Sequence, residues 1–163
     1  MSAKSSHQVI NPPNTLQAKV PKTGGPSMDE MAASAEAALR EIKDNYEAVV
    51  QADLRKINDA ISRAIETPAT EADALKEIFG ISHDIKGQAA SLDYPLLTMI
   101  AQSLCRFISN SEPAALKALD VVSAHARAMG TVVAYTIRGD GGEIGKKLLD
   151  VLDAAVEKAL ARK

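Results

Sequence analysis

The sequence has no tryptophan, and it has only two phenylalanines and three tyrosines among 163 residues. Proteins that bind single-stranded nucleic acid usually stack the bases on exposed aromatic rings. Proteins that bind a phosphate backbone usually carry a strongly basic surface. This chain has 19 basic and 21 acidic residues and a net charge of −2. The composition therefore indicates that nucleic acid is not a partner.

Cysteine and long apolar runs are also scarce. The single cysteine, Cys105, excludes an intramolecular disulfide framework and is compatible with a reducing cytosol. No apolar run approaches the roughly 18–20 residues that span a bilayer, and the N-terminus lacks the apolar centre of a signal peptide. No set of His, Cys and carboxylate residues has the spacing of metal ligands. We therefore expect a cytoplasmic protein with no membrane segment and no metal site of its own.

The apolar content, in contrast, is high. Hydrophobic residues make up 46% of the chain and are mostly Ala, Leu, Ile and Val, of which Ala and Leu favour helix strongly. Residues 1–26 contain four prolines and two adjacent glycines and show no sustained apolar periodicity. Such a segment cannot bury enough apolar surface to offset its ordering entropy. We predict a disordered tail over residues 1–26 and a folded domain over residues 27–163.

Apolar residues at spacings of three and four predict five helical segments in this domain. The segments cover residues 28–65, 71–92, 95–108, 111–137 and 143–161. Ser27 and Thr70 are expected to cap the first and second segments, and the glycine-rich turn 139–142 to close the fourth. The sequence leaves open whether the first segment is one helix or two joined near residues 51–53. Short connections between long helices favour antiparallel neighbours. The predicted fold is an all-α, antiparallel four-helix bundle with additional N- and C-terminal helical segments.

His83 lies on the predicted outer face of the second helix. At about 100° per residue, the apolar residues of this helix fall on the side opposite His83, at roughly 160–240° from it. They are Ile78, Ile81, Ile85, Ala89 and Leu92. Because this stripe is suited to face the core, the histidine is expected to point outward.

The neighbours of His83 on this outer face are mostly small. Gly80, Gly87 and Ala90 lie within about 60° of it, as does Lys76. A glycine inside a helix costs about 0.5–1 kcal/mol relative to alanine. Two such glycines around an exposed histidine indicate a need for open space, into which another protein could bring an active-site carboxylate.

The chemistry of this face suits a phosphoryl group. Histidine titrates near pH 6.5, so a neutral imidazole nitrogen is nucleophilic at physiological pH. Lys86, three residues further along the helix, can reach the anionic phosphoryl oxygens as a point charge. No glycine-rich nucleotide-binding loop is present. The residues therefore favour a phosphoryl carrier over an enzyme that uses ATP.

The pattern His83-x-x-Lys86-Gly87 on an amphipathic helix resembles the histidine-containing phosphotransfer (HPt) domains of bacterial multistep phosphorelays. The resemblance extends over roughly residues 28–137. It implies a four-helix bundle whose exposed histidine exchanges a phosphoryl group with aspartates of receiver domains. By position, His83 is then the phosphoacceptor, Lys86 the cation that faces the phosphate, and Gly87 the residue that gives clearance.

The sequence departs from the family pattern after the motif. The family often has Gly or Ser where this chain has Ala90, and commonly has a glycine where this chain has Asp93. Alanine is an acceptable small residue, whereas Asp93 affects mainly how the helix ends.

The resemblance also implies partners. They are response-regulator receiver domains, hybrid histidine kinases, or both, and Mg²⁺ is expected only in the partner receiver domain. The chain itself is expected to be monomeric and to hold no cofactor. The docking surface is expected to surround His83. It comprises Lys76, Phe79, Gly80, Gly87, Gln88, Ala90 and Tyr94.

Two other classes of function remain open from the sequence. One is an interaction module that binds or inhibits a signalling partner without accepting phosphate. The other is a phosphatase of a phosphorylated receiver that orients water from an exposed helix residue. The remaining histidines fit the site less well, because His125 lies in a mostly apolar helix with no Lys-Gly after it and His7 lies in the tail.

Overall fold

The computed structural model describes residue 19, residues 24–110 and residues 112–161. Most of the predicted tail, including His7, lies outside these described residues, so its disorder stays a prediction. Contacts divide the chain into two units, residues 1–40 and residues 41–163. In the first unit, residues 28–40 are helical and exposed. The second unit contains the core and is the subject of the paragraphs below.

The described residues form helices and contain no strand, which confirms the all-α fold. Six α-helices lie within the described ranges from residue 24 onward: α1 (Met28–Glu66), α2 (Glu71–Ala89), α3 (Pro95–Asn110), α4 (Glu112–Lys117), α5 (Leu119–Ala134) and α6 (Gly142–Ala161). Short 3-10 helices cover Pro68–Thr70 and Ala90–Leu92. Within the described part of the chain, none of the helices has the length and apolar character that crossing a membrane requires.

The first predicted segment is one continuous helix, α1. Its N-terminus has the predicted cap, because the backbone N–H of Glu30 donates to Ser27 Oγ at 3.2 Å and the N–H of Ser27 donates to Glu30 Oε2 at 2.7 Å. This reciprocal pair satisfies two N–H groups that the first turn of a helix leaves free.

The core of the second unit lies between the apolar faces of the long helices. Helix α2 packs against α3, and α3 also packs against α5 and α6. From α1, the core residues are Tyr46, Val50, Leu54, Ile57, Ala60, Ile61 and Ala64. Helices α1 and α2 run antiparallel, because Arg63 pairs with Glu77 and Lys43 pairs with Asp93 beyond the other end of α2. The C-terminal helix α6 buries Leu152 and Ala159, so its apolar face packs on the bundle.

The helix boundaries differ in several details from the sequence expectation, and two of them concern a helix break and a helix cap. The fourth predicted segment, 111–137, is broken into α4 and α5 at Ala118, which is buried and has a non-helical φ of −133°. Thr70 does not cap α2 with its side chain. Its hydroxyl donates instead to the carbonyl oxygen of Thr67 at 2.8 Å, because the 3-10 turn over Pro68–Thr70 brings that carbonyl within reach.

The end of α2 is tied to the turn before α6. The N–H of Tyr94 donates to the carbonyl of Ala89 at 2.9 Å, and Asp93 between them has a left-handed φ of 69°. This combination is a Schellman-type helix end. The N–H of Gly139 donates to Asp93 O at 3.1 Å, and Arg138 donates to Leu92 O at 3.2 Å. These bonds fix the helix that carries His83 at its C-terminal end.

Candidate functional site

Helix α2 presents His83 to solvent, as the helical pattern predicts. Ile78, Ile85 and Ala89 are buried on its opposite side, and Ile81 is half-buried. Ser82, next to His83, is also buried. We use the name His83 face for Lys76, Gly80, His83 and Gly87 on the exposed side of α2, together with Ala90 at the start of the 3-10 helix that follows.

The two glycines on the His83 face are not required by packing. A Cβ atom built at Gly80 or Gly87 would have no heavy atom within 4 Å, apart from its chain neighbours and the backbone of its own helix. Neither glycine has a positive φ. Alanine would therefore fit at both positions and would favour the helix. The packing of the fold therefore gives no reason for a glycine at either position.

Lys86 lies one turn after His83, at the edge of the buried side, and is half-buried. Side chains on a helix lean toward its N-terminus, so Lys86 leans toward the turn that carries His83. Burial raises the pKa of the Cys105 thiol in α3, and the positive charge of Lys86 partly opposes this rise. Among the ion pairs formed by the described residues, none involves Lys86.

Phe79 is the aromatic neighbour of His83. Their ring centroids are 6.0 Å apart, and the rings are tilted by 34°. Phe79 is half-buried and packs against the core. It also lines a cavity of about 250 Å³ with Leu75, Lys76, Ile108 and Ser109. The sequence predicts Phe79 only as a docking residue, but its position four residues before His83 on one helix was an available signal for a direct contact.

Of the other predicted docking residues, most are exposed and one is not. Gln88 and Ala90 are exposed, and Lys76 is exposed while its ammonium lies 3.7 Å from a carboxylate oxygen of Asp73. Tyr94 is fully buried, so the expectation that it docks a partner is wrong. Its ring lies in the core, where it contacts Tyr46, and its hydroxyl donates to Glu47.

The burial of Tyr94 follows from contacts that local sequence does not show. Its ring is covered by the guanidinium of Arg138, whose Cζ lies 4.3 Å from the ring centroid. Burial and the hydrogen bond to Glu47 raise the pKa of Tyr94 to about 12. The phenol therefore stays protonated and serves as a donor inside the fold.

The second histidine of the described chain, His125, is fully buried in α5. Its Nδ1 lies 2.8 Å from the carbonyl oxygen of Val121, and its Nε2 lies 3.2 Å from Ser103 Oγ. The Ser103 hydroxyl in turn lies 3.2 Å from Asp153 Oδ1. Burial lowers the pKa of His125. The hydrogen bond to Val121 and the charge of Asp153 act in the opposite direction but do not cancel this effect. This packed position, which the sequence analysis favoured, keeps His125 away from an incoming phosphoryl group.

No three His, Cys, Asp or Glu side chains in the described residues group so that they could hold a metal ion.

Comparison with known proteins identifies the family. A family model for the Hpt domain matches residues 41–161, which is nearly the whole of the second unit. The chain therefore belongs to the Hpt domain family. This membership gives the protein a phosphotransfer role in phosphorelay signalling, with response-regulator or kinase partners. No curated protein and no solved structure matches the sequence.

Proposed function

We propose that His83 carries a phosphoryl group between aspartates of response-regulator receiver domains, one of which can belong to a hybrid histidine kinase. The observation that carries this proposal is the exposed imidazole on a rigid helix between two glycines that the fold does not need. An exposed site permits both loading and unloading of the group.

The transfer is a displacement at phosphorus. A ring nitrogen of neutral His83 attacks the phosphorus of an aspartyl phosphate with its lone pair. The N–P bond forms while the P–O bond to the donor aspartate breaks, and the donor carboxylate leaves with the electron pair. In the return step, the carboxylate of the acceptor aspartate attacks phosphorus, the P–O bond forms, and the N–P bond breaks. The imidazole then leaves with the electron pair, and no oxidant or reductant is needed.

Lys86 stabilises the transferred group in this proposal. The phosphoryl oxygens carry negative charge throughout the transfer, and an ammonium one helical turn away lowers the energy of that charge. The half-buried position of Lys86 limits its conformational freedom, so less entropy is lost when it meets the phosphoryl group.

The docking surface is the His83 face together with Phe79 and Gln88. The small residues on this face let the backbone of α2 approach the partner closely, so that the partner's aspartate can reach the imidazole. We expect Mg²⁺ to be held by the receiver's acidic site and not by this chain.

The test is phosphotransfer from a phosphorylated receiver domain to the full chain, in which His83→Gln is compared with the wild type. The matched control is His7→Gln, which removes a histidine from outside the site. The expected result is acid-labile, base-stable label on the wild type and on His7→Gln, and none on His83→Gln.

Two other results would overturn the proposal. Label that persists on His83→Gln would mean that another residue accepts phosphate. A wild type that binds phosphorylated receivers but takes no label from a panel of donors would instead support the interaction module.

A further inference from the structure

The contact between Phe79 and His83 has a geometry that restricts the imidazole. A centroid separation of 6.0 Å and a tilt of 34° fall in the range of favourable offset aromatic pairs, about 4.5–7 Å. Because side chains on a helix lean toward its N-terminus, His83 leans toward the turn that carries Phe79, four residues earlier. The imidazole therefore meets the phenyl ring on the side toward which it leans.

Two of the other helical neighbours of His83 are glycines, which restrict it little. Gly80, three residues before it, and Gly87, four residues after it, have no side chains, and the space at both positions is open. Phe79, in contrast, packs against the core and is held in place. In the described part of the chain, the aromatic ring that contacts His83 is that of Phe79.

We propose that Phe79 is a positioning residue for His83, which holds the imidazole in the rotamer that presents a ring nitrogen to the open space above the two glycines. This inference rests on the proposed function, since it assigns the residue that orients the phosphoacceptor. It differs from a docking role because Phe79 acts on His83 within the isolated protein, before any partner binds.

The physical effect is a reduction in the number of side-chain conformations. An exposed histidine samples several staggered rotamers, and only some of them direct a nitrogen lone pair along the line of attack on phosphorus. A contact that favours the competent rotamer raises the rate of every transfer to His83, including transfer from a donor too small to dock.

The experiment uses phosphoramidate, a small donor that supplies a phosphoryl group without a protein surface. Its P–N bond breaks as the new N–P bond to His83 forms, and the leaving amine takes up a proton to depart as ammonia. Rates of labelling are measured for the full-length wild type, Phe79→Tyr, Phe79→Leu and Phe79→Ala. Met99→Ala is the matched control, since Met99 is another partly buried apolar residue that packs on the core.

We expect Phe79→Tyr and Met99→Ala to label at the wild-type rate, and Phe79→Leu and Phe79→Ala to label about three- to tenfold more slowly, as the strength of an aromatic pair implies. Phe79→Leu keeps an apolar side chain of similar bulk, so it tests the ring even if Phe79→Ala unfolds. Proton NMR gives a second readout, because the imidazole protons of His83 should lose a ring-current shift in Phe79→Leu and keep it in Phe79→Tyr.

The outcomes separate this inference from the proposed function. If Phe79→Leu labels His83 from phosphoramidate as fast as the wild type, Phe79 is not a positioning residue. If Phe79→Leu then accepts phosphate more slowly from a receiver domain alone, Phe79 is a docking residue. If the wild type takes no label on His83 from either donor, the proposed function itself fails.

Discussion

Lys43 and Asp93 form an ion pair, with 2.7 Å between Nζ and Oδ2, at the point where the helix that carries His83 ends. Asp93 has a left-handed φ of 69°, a conformation that glycine adopts at lower cost than residues with a Cβ atom. The family commonly has a glycine at this position, and the backbone of Asp93 gives the reason. In this chain, the hydrogen bond from Lys43 and the positive charge of that lysine lower the pKa of Asp93.

Substitution of Asp93 should separate the backbone effect from the charge effect. We expect Asp93→Gly to be at least as thermally stable as the wild type, because relief of the left-handed backbone offsets the loss of an exposed ion pair. Asp93→Ala loses the ion pair and keeps the strain, so its Tm should fall by about 2–4 °C or more. Asp93→Asn is the control, since asparagine tolerates this conformation without the charge. Equal Tm values for the alanine and glycine variants, measured by circular dichroism, would contradict this explanation.

Gly87→Ala should make the protein more stable and less active. No heavy atom obstructs a Cβ at this position, so the substitution should raise the free energy of unfolding by about 0.5–1 kcal/mol through helix propensity alone. The added methyl group enters the space through which a receiver approaches His83, so the rate of receiver-dependent transfer should fall. The measurements are urea denaturation and labelling by a phosphorylated receiver.

The matched control for Gly87→Ala is Gly130→Ala in α5. A Cβ at Gly130 would lie 3.9 Å from Leu54 Cδ1, an ordinary contact distance, so this variant should also be stabilised. It should transfer phosphate at the wild-type rate because it lies on another helix. A Gly87→Ala protein that transfers as fast as Gly130→Ala would show that the open space at Gly87 has no role in docking.

The buried His125 should make stability depend on pH. Burial lowers its pKa from 6.5 in the folded state, so below about pH 6.5 the unfolded chain binds a proton that the folded protein does not. Stability should therefore decrease as the pH falls through 6.5 toward the folded pKa, with a slope of up to about 1.4 kcal/mol per pH unit. Charged groups near this site include Asp153 of α6, which opposes the shift, and Arg106 of α3, which lines a cavity with Asp153 and Ser103.

Urea denaturation between pH 5 and pH 8 measures this dependence. In His125→Gln the contribution of the imidazole is absent, so the difference in stability between the wild type and this variant should shrink as the pH falls below 6.5. A difference that is constant across the range would mean that His125 has the same pKa in the folded and unfolded states.

Much of the His83 face could be predicted from the sequence, because its geometry is local. Residues three, four and seven positions apart share one side of a helix whatever the helix packs against. The apolar stripe of α2 then determines which side is exposed. The prediction that His83 is exposed near Gly80 and Gly87 therefore needed only helix geometry and the binary pattern of residues 75–92.

Long-range contacts decided the rest. The sequence suggested Tyr94 for the docking surface as an apolar residue near His83, yet Glu47 and Arg138, distant in the chain, enclose it in the core. The network of His125 depends on Ser103 and Asp153 from two other helices, and Ala118, where the fourth predicted segment breaks, is buried. Helical periodicity assigns a residue to a face of its own helix, but only the assembled bundle determines which polar groups meet and which side chains lose contact with water.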